Sequence, residues 1–384
     1  MKKLGGTVME EKTALAPIIE RNRDVEHVML AACRYGHHGL GVKNKDKRLS
    51  LLAVTDVHGS ETQMRSAIAY LNHYDAFDGG ICLGDIMPAH FNSPADWYVD
   101  AVLSANKPFY TVLGNHDHGN SADATLAATP KMAFDKFIAP TLEKMEMPAL
   151  DQPYYCKLFE KYGVALIVLN GNDTPDGTDE KGNYKIHRGV EMYGQAQIDW
   201  LVRTLAEIPE GYHLLLASHT FLHAHDVVEC AFSQKGKRLN WSHSGNPYHD
   251  TELLTDIIHA WTCGTRLSGV YTPIREDLPA ITVDVDFSAR GEGIFVAHLI
   301  GHFHRDTIAR SKKYPEQMIV SLISTANDVW QNHACDLPRA AGTKAEDAIT
   351  AVTVDTGARE LRLVRIGSNM TMDLTERTYI ALPY

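Results

Sequence analysis

From Leu49 onward, apolar runs that stop abruptly at small or polar residues alternate with stretches in which apolar residues recur at helical spacing. That alternation is the pattern of a layered α/β domain. LSLLAVTD (49–56) reads as a buried strand, and GSETQMRSAIAYLNHY after it puts Met64, Ile68 and Leu71 on one helix face. GGICLGD is a second strand. PADWYVDAVLSAN (94–106) opens with a helix-favouring proline and predicts a helix with Trp97, Val99, Val102 and Leu103 at helical spacing. A third strand follows in KPFYTVLGNHD. YYCKLFEKYGVALIVLN predicts a hairpin turning at 161–163, GQAQIDWLVRTLAEI (194–208) an amphipathic helix stopped by Pro209, and YHLLLASH a return to the sheet.

Over 220–293 the periodicity weakens, with Gly, Pro, His and Trp scattered through QKGKRLNWSHSGNPYHD and one clear helical stretch in TELLTDIIHAW (251–261). This segment reads as an insertion near the site. IFVAHLIGHFH and QMIVSLIS resume the strands, and 349–366 predicts a C-terminal hairpin around the Asp355-Thr356-Gly357 turn. The first 48 residues carry mixed charge, a helix expected around 17–32 and no chemical motif, so they form an N-terminal extension to a domain spanning 49–384. No internal repeat interrupts it.

Composition narrows the possibilities. Of 384 residues 44% are hydrophobic and 22% charged, which is enough apolar side chain for a substantial core. A formal net charge of −11 counts against sequence-independent nucleic-acid binding, which needs clustered Lys and Arg. Six scattered cysteines form no C-x-x-C pair, so the pattern suggests neither a zinc knuckle nor a disulfide scaffold, and a reducing compartment is expected. Glu10, Glu11 and Lys12 stand where a signal peptide needs an apolar core, and no run approaches the roughly 20 apolar residues that span a bilayer. The expectation is a cytoplasmic protein that makes no membrane contact. Oligomeric state leaves no mark in the sequence.

Five segments end apolar strands with metal-type ligands: Asp56 and His58 in TDVHGS, Asp85 in LGD, Asn115 with His116 in GNHD, His219 in ASHT, and His302 with His304 in GHFH. An isolated Asp-x-His among 20 histidines is more often a loop accident, but five such blocks in order are not. Strand period sends residues i and i+2 to the same side, so Asp56 and His58 are expected to face one ion together, as are His302 and His304. Gly84, Gly114 and Gly301 sit beside these residues, where a missing Cβ permits sharp turns and close approach. The carboxyl ends of strands are also where ligands gather in open α/β sheets. Mixed carboxylate, amide and imidazole donors suit divalent Mn, Fe, Zn or Ni better than a thiolate-seeking metal.

The series D-x-H, GD, GNHD, a later His and GHxH resembles the calcineurin-like metallophosphoesterase family, and it runs from Asp56 to His304. The resemblance implies a four-layer α/β/β/α sandwich of two mixed β-sheets flanked by helices. It further implies two divalent transition-metal ions, one held by Asp56, His58 and His304 and one by Asn115, His219 and His302, with Asp85 bridging them. On the same resemblance a metal-bridging hydroxide is the nucleophile and His116 the general acid that protonates the departing oxygen, a task that imidazole suits. LLLASH favours His219 over nearby His223 and His225 as the fourth-block histidine. Those two and His118 read first as solvated loop histidines and second as contacts to substrate phosphate. Asn170 and Asn172 read first as turn formers, with Asn172 a weak substrate contact. Trp97 and Trp200 are expected in the core, and Arg305 and Asp306 follow GHFH closely enough to reach substrate.

Departures from the subfamilies matter. GDIMP lacks the Asp-Arg-Gly extension of eukaryotic Ser/Thr protein phosphatases, and Pro88 stands where a purple acid phosphatase places its tyrosine. The pattern is nearer the bacterial class that includes cyclic-nucleotide phosphodiesterases. The expected function is hydrolysis of a phosphodiester or phosphomonoester in a small, nucleotide-like molecule. The alternatives are a nuclease of the same fold and a non-catalytic metal-binding scaffold.

Overall fold

The computed structural model describes residues 17–35, 47–220, 227–231, 252–273, 275–326, 339–368 and 378–384. Its first sheet runs β15-β14-β13-β1-β2-β3 and its second β4-β5-β6-β10-β12-β11-β7. In the first, β1 (Arg48–Val54), β2 (Gly79–Cys82) and β3 (Phe109–Thr111) are parallel neighbours, with Val54 paired to Cys82 and Cys82 to Thr111. In the second, β5 (Val164–Val168), β6 (His213–Ala217), β10 (Ile294–Ile300) and β12 (Met318–Ser321) are parallel, while β4 (Tyr155–Phe159), β7 (Val227–Ala231) and β11 (Thr307–Ser311) run against their neighbours. Both sheets are therefore mixed.

Side-chain alternation separates the layers. Along β5, Val164, Leu166 and Val168 join the large cluster between the sheets, whereas Ala165, Ile167 and Leu169 join a second cluster on the outer face; β6 divides Leu215 and Ala217 from Leu214 and Leu216 in the same way. Helices α5 (Gln195–Glu207) and α6 (Leu253–Cys263) cover that outer face with Ile198, Leu201, Leu205, Ile257 and Trp261. On the other flank, α1 (Arg23–Leu30), α2 (Glu61–His73), α3 (Asp96–Ser104) and α4 (Pro130–Phe137) contribute Met29, Met64, Tyr98 and Phe134 to the large cluster. The result is the four-layer α/β/β/α sandwich.

Most expected elements are present, with informative exceptions. α3 buries Tyr98, Ala101 and Val102, while Leu103 is 46% exposed and Trp97 and Val99 are only half-buried. Tyr98 explains the rotation: its hydroxyl bonds Thr111 Oγ1 at 2.9 Å at the end of β3, and a buried phenol needs such a partner. Trp200 is likewise half-buried, against the outer cluster. The hairpin is β13 (Ala348–Asp355), buried throughout, with β14 (Glu360–Gly367), buried from Leu361 onward, and β15 (Tyr379–Pro383) adds an edge that the sequence reading did not anticipate. Within 220–293, β7 extends the second sheet beside β11, and β8 (Arg266–Tyr271) pairs with β9 (Ile281–Asp286) as a separate hairpin. No helix among the described residues is long and apolar enough to cross a membrane.

Candidate metal centre

The parallel register brings the carboxyl ends of β1, β2 and β3 level, and the loops leaving them carry Asp56, Asp85 and Asn115. Backbone bonds lock these loops together: Asp56 N–H donates to Gly84 O at 2.9 Å and His58 N–H to Asp85 O at 2.9 Å. From the second sheet, Gly301 N–H donates to His219 O at 3.0 Å, joining the ends of β6 and β10. The two sheets meet where His219 Nδ1 donates to Leu83 O at 2.7 Å. A Cβ on Gly84 would lie 2.8 Å from His219 Nδ1, so this meeting requires glycine.

The seven expected ligand residues converge. Donor atoms of Asp56, His58 and His304 lie within 4.8 Å of one another, as do those of Asp85, His219 and His302. His304 Nε2 is 3.2 Å from Asp56 Oδ1, His58 Nε2 is 3.0 Å from His304 Nε2, and His219 Nε2 is 3.1 Å from Asp85 Oδ2. Asn115 Oδ1 approaches His302 Nδ1 at 3.1 Å. Spacings near 3 Å are those of neighbouring donors around one small cation, whose bonds are about 2.0–2.2 Å long. His58, Asp85 and His116 form a third such group, with His116 Nε2 3.9 Å from Asp85 Oδ2, and at 17% side-chain exposure His116 is the most exposed of these imidazoles.

Strand alternation does not produce this arrangement. Asp56, His58, Asp85, His302 and His304 all lie beyond strand ends with φ between 47° and 66°, in the left-handed region that most side chains avoid. His302 and His304 consequently diverge, His302 toward Asn115 and His304 toward Asp56, which corrects the expectation that both face one ion. Asp56 and His58 do stay together, at 3.9 Å.

The electrostatics ask for a cation. Burial pushes the Asp56 carboxyl up, but the His304 and His219 charges and a hydrogen bond from His304 outweigh it and hold the group at about 2. Burial acts likewise on Asp85, and His219, His116 and His58 overcome it, leaving that carboxyl well below its usual range. Burial pushes His219 down, yet Asp85 and Asp56 hold it up at about 10, so the two carboxylates retain a proton on a fully buried imidazole. His219 Nε2 faces Asp85 Oδ2 at 3.1 Å, and a divalent ion seated there would take the place of its proton. The mixed carboxylate, amide and imidazole donors fit such an ion.

Of the weaker expectations, His223 and His225 lie outside the described residues. His118 is fully buried, with Nε2 at 3.2 Å from Asn170 Oδ1, so neither a solvated loop nor a substrate contact describes it: the chain packs it beneath the site. Asn172 is equally buried and spends its amide on Val190 O at 3.2 Å, a structural turn. Asp306 pairs with Arg365 at 2.5 Å and accepts Ile323 N–H at 3.0 Å, which commits it to the scaffold.

Two residues escaped the sequence reading. Asp117, the last residue of GNHD, is fully buried and accepts the N–H groups of Ile86 (2.8 Å), Met87 (3.1 Å) and Gly114 (2.8 Å), tying the second and third loops together. Its place in the motif was the available signal. Glu191 lies 3.2 Å from His302 Nε2 in HRGVEMYG, a segment with no periodicity to mark it. Burial pushes its carboxyl up to about 8, with the His219 charge opposing and the Asp85 charge adding.

A sequence model of the calcineurin-like phosphoesterase family matches residues 49–263. No curated protein matches the chain. Solved structures with similarity include a conserved uncharacterized protein of Streptococcus pneumoniae, described as a predicted phosphoesterase, at 8% identity over 87% of this chain and 97% of its own, TM-score 0.33. A Thermus thermophilus protein shares 12% identity over 83% and 99%, TM-score 0.40. Phosphopantetheinyl hydrolase of Mycobacterium tuberculosis shares 11% over 73% and 91%, TM-score 0.36. With a family match that spans more than half of its length and takes in the strand-end motifs from Asp56 to His219, the chain belongs to the calcineurin-like phosphoesterases, hydrolases that typically bind divalent metals.

Proposed function

We propose that the protein is a two-metal phosphoesterase acting on a phosphodiester or phosphomonoester of a small, nucleotide-like molecule. The observation that carries this reading is the convergence of buried donor groups around Asp56 and Asp85, with His219 Nε2 3.1 Å from Asp85 Oδ2. Asp56, His58 and His304 would hold one ion, Asn115, His219 and His302 the other, and Asp85 both; the donor set suits Mn, Fe, Zn or Ni. Bound there, such ions acidify water and clamp phosphoryl oxygens.

The chain's own groups do the rest. Pro88 O accepts a hydrogen bond from His116 Nδ1 at 2.9 Å, which fixes the ring and presents Nε2 to the open side of the site. That nitrogen holds the proton given to the departing oxygen. The His116 N–H donates to Asp85 Oδ1 at 2.9 Å, coupling the position of the acid to the carboxylate at the centre. Among the described residues Cys33, Cys82, Cys156 and Cys263 form no disulfide, in keeping with a reducing, cytoplasmic setting.

The test is metal content by mass spectrometry together with hydrolysis of bis-p-nitrophenyl phosphate and p-nitrophenyl phosphate in added Mn. Near two ions per chain with turnover is expected, and the preferred ester sorts diesterase from monoesterase. His116→Ala should keep its ions and lose about 10²–10⁴ in kcat. A protein that takes up no ion and turns over neither ester under any metal would end the reading.

A further inference from the structure

Each imidazole of the centre can expose only one nitrogen lone pair, and what the other nitrogen meets decides which. Met87 O accepts from His58 Nδ1 at 3.1 Å, Pro88 O from His116 Nδ1 at 2.9 Å, and Leu83 O from His219 Nδ1 at 2.7 Å. A carbonyl only accepts, so Nδ1 carries a hydrogen in all three rings; in His58 and His219 this leaves Nε2 as the donor atom, whereas in His116, the proposed acid, Nε2 carries the second hydrogen. His302 is turned the other way. Its Nδ1 stands 3.1 Å from Asn115 Oδ1, among the donors, and its Nε2 stands 3.2 Å from Glu191 Oε1.

Glu191 is placed for this. Its side chain is 5% exposed, and among the described residues His302 is its one ion-pair partner within 4 Å, with the His219 and Asp85 charges acting on it as well. The backbone around it is pinned to the turn after β5: Met192 N–H donates to Gly171 O at 2.8 Å, Asp173 N–H to Met192 O at 3.0 Å, and Asn172 Nδ2 to Val190 O at 3.2 Å. A buried carboxylate with no Lys or Arg beside it is costly to keep, unless the group it faces carries or shares positive charge.

We propose that Glu191 is a positioning residue of the centre, whose carboxylate accepts the Nε2 hydrogen of His302 and so fixes the tautomer in which Nδ1 faces the ion beside Asn115. The inference rests on the two-ion reading above. It makes the two metal positions unequal: the ion at Asn115, His219 and His302 has a carboxylate-backed histidine, whereas His58 and His219 are backed by neutral carbonyls. A carboxylate raises the basicity of the imidazole it holds, which strengthens that ligand.

The experiment is a titration of the metal-free protein with Mn²⁺ by calorimetry, for wild type, Glu191→Gln and Glu191→Ala, alongside thermal unfolding of each metal-free form. One of the two binding steps should weaken about 10–100-fold in both variants, with the other step and the metal-free midpoint unchanged. Two unchanged steps would overturn the proposal, as would a fall in the metal-free midpoint that weakened both steps together, because that describes a purely structural residue. Wild-type protein that binds no Mn²⁺ would instead remove the two-ion reading and this inference with it.

Discussion

Gly301, the first residue of GHFH, offers a clean perturbation because its backbone is not left-handed and alanine there would be opposed by space alone. An added Cβ would collide with Thr55 Oγ1, lie 2.7 Å from Asp56 Oδ2 and lie 3.2 Å from His219 Nδ1. Ordinary contact begins at 3.4 Å, so Asp56 would have to retreat by 0.7 Å. It has nowhere to go: Thr55 Oγ1 donates to Asp56 Oδ2 at 2.7 Å, Thr325 Oγ1 accepts from Thr55 N–H at 3.1 Å, and His302 N–H donates to both Asp56 oxygens at 3.1 Å. Overpacking of this kind costs about 1–3 kcal/mol. A ligand oxygen tolerates about 0.2 Å of displacement, so the ion beside Asp56 should be lost at least about tenfold more easily. Urea denaturation of metal-free Gly301→Ala measures the first effect and Mn²⁺ titration the second. Gly269→Ala on β8, where the new methyl meets nothing closer than 3.5 Å, serves as control. A Gly301→Ala protein with wild-type stability and wild-type metal affinity would refute the claim that Thr55 and Asp56 are rigidly held.

Two further outcomes are expected. Arg365, fully buried, spans from β14 to Asp306 at 2.5 Å and thereby ties the first sheet to the chain leaving His304, so Arg365→Met should cost about 3–5 kcal/mol in urea denaturation and Arg365→Met with Asp306→Asn should recover most of it. A single-variant loss under about 1 kcal/mol, the size of an exposed pair, would contradict that. Burial pushes Asp355 up, but the Arg48 hydrogen bond, the Ala358 N–H and the Arg362 and Arg48 charges outweigh it and hold the carboxyl below its usual range. Because the folded value is depressed, this stabilisation is present above the unfolded value of about 3.9 and disappears as pH falls through the folded one. The stability difference between wild type and Asp355→Asn should therefore be constant from neutrality to about pH 5 and shrink below about pH 4, and a difference that persists undiminished to pH 3 would be contrary evidence.

Elements with an uninterrupted apolar signal were legible in the sequence. α2 buries Met64, Ile68 and Leu71 as its spacing requires, and the β4–β5 hairpin turns where Lys161 to Gly163 interrupt two apolar runs. The misreadings have specific causes. On α3 the apolar residues encircle the helix, so periodicity could not choose a face, and the hydroxyl of Tyr98 chose it through Thr111. β9 does alternate, in ITVDVD, but a polar setting within 220–293 masked a strand whose partner β8 lies across a loop and whose Thr282 bonds Gln195 at the start of α5. Glu191 has no local pattern because its role depends on a contact with His302, more than a hundred residues away.

The expected ligand residues come together in space, but not for the reason their spacing suggested, and the difference has physical content. A strand would present His302 and His304 on one face, which can serve a single ion. Left-handed backbone at both positions instead splits them between Asn115 and Asp56, so that one short motif reaches two donor groups. Holding a side-chain-bearing residue in that region costs about 1–3 kcal/mol each, and five of the eight such residues among those described lie in this one place. The strain is held by bonds that leave the backbone no freedom: Asp56 O accepts from Ser324 Oγ at 2.8 Å, Thr325 N–H donates to Thr55 O at 2.8 Å, and Asp117 clamps the loop after Asp85. A scaffold relieved of function would relax these turns to glycine. That Asp and His occupy them instead argues that the fold gives up stability here to aim donor atoms inward.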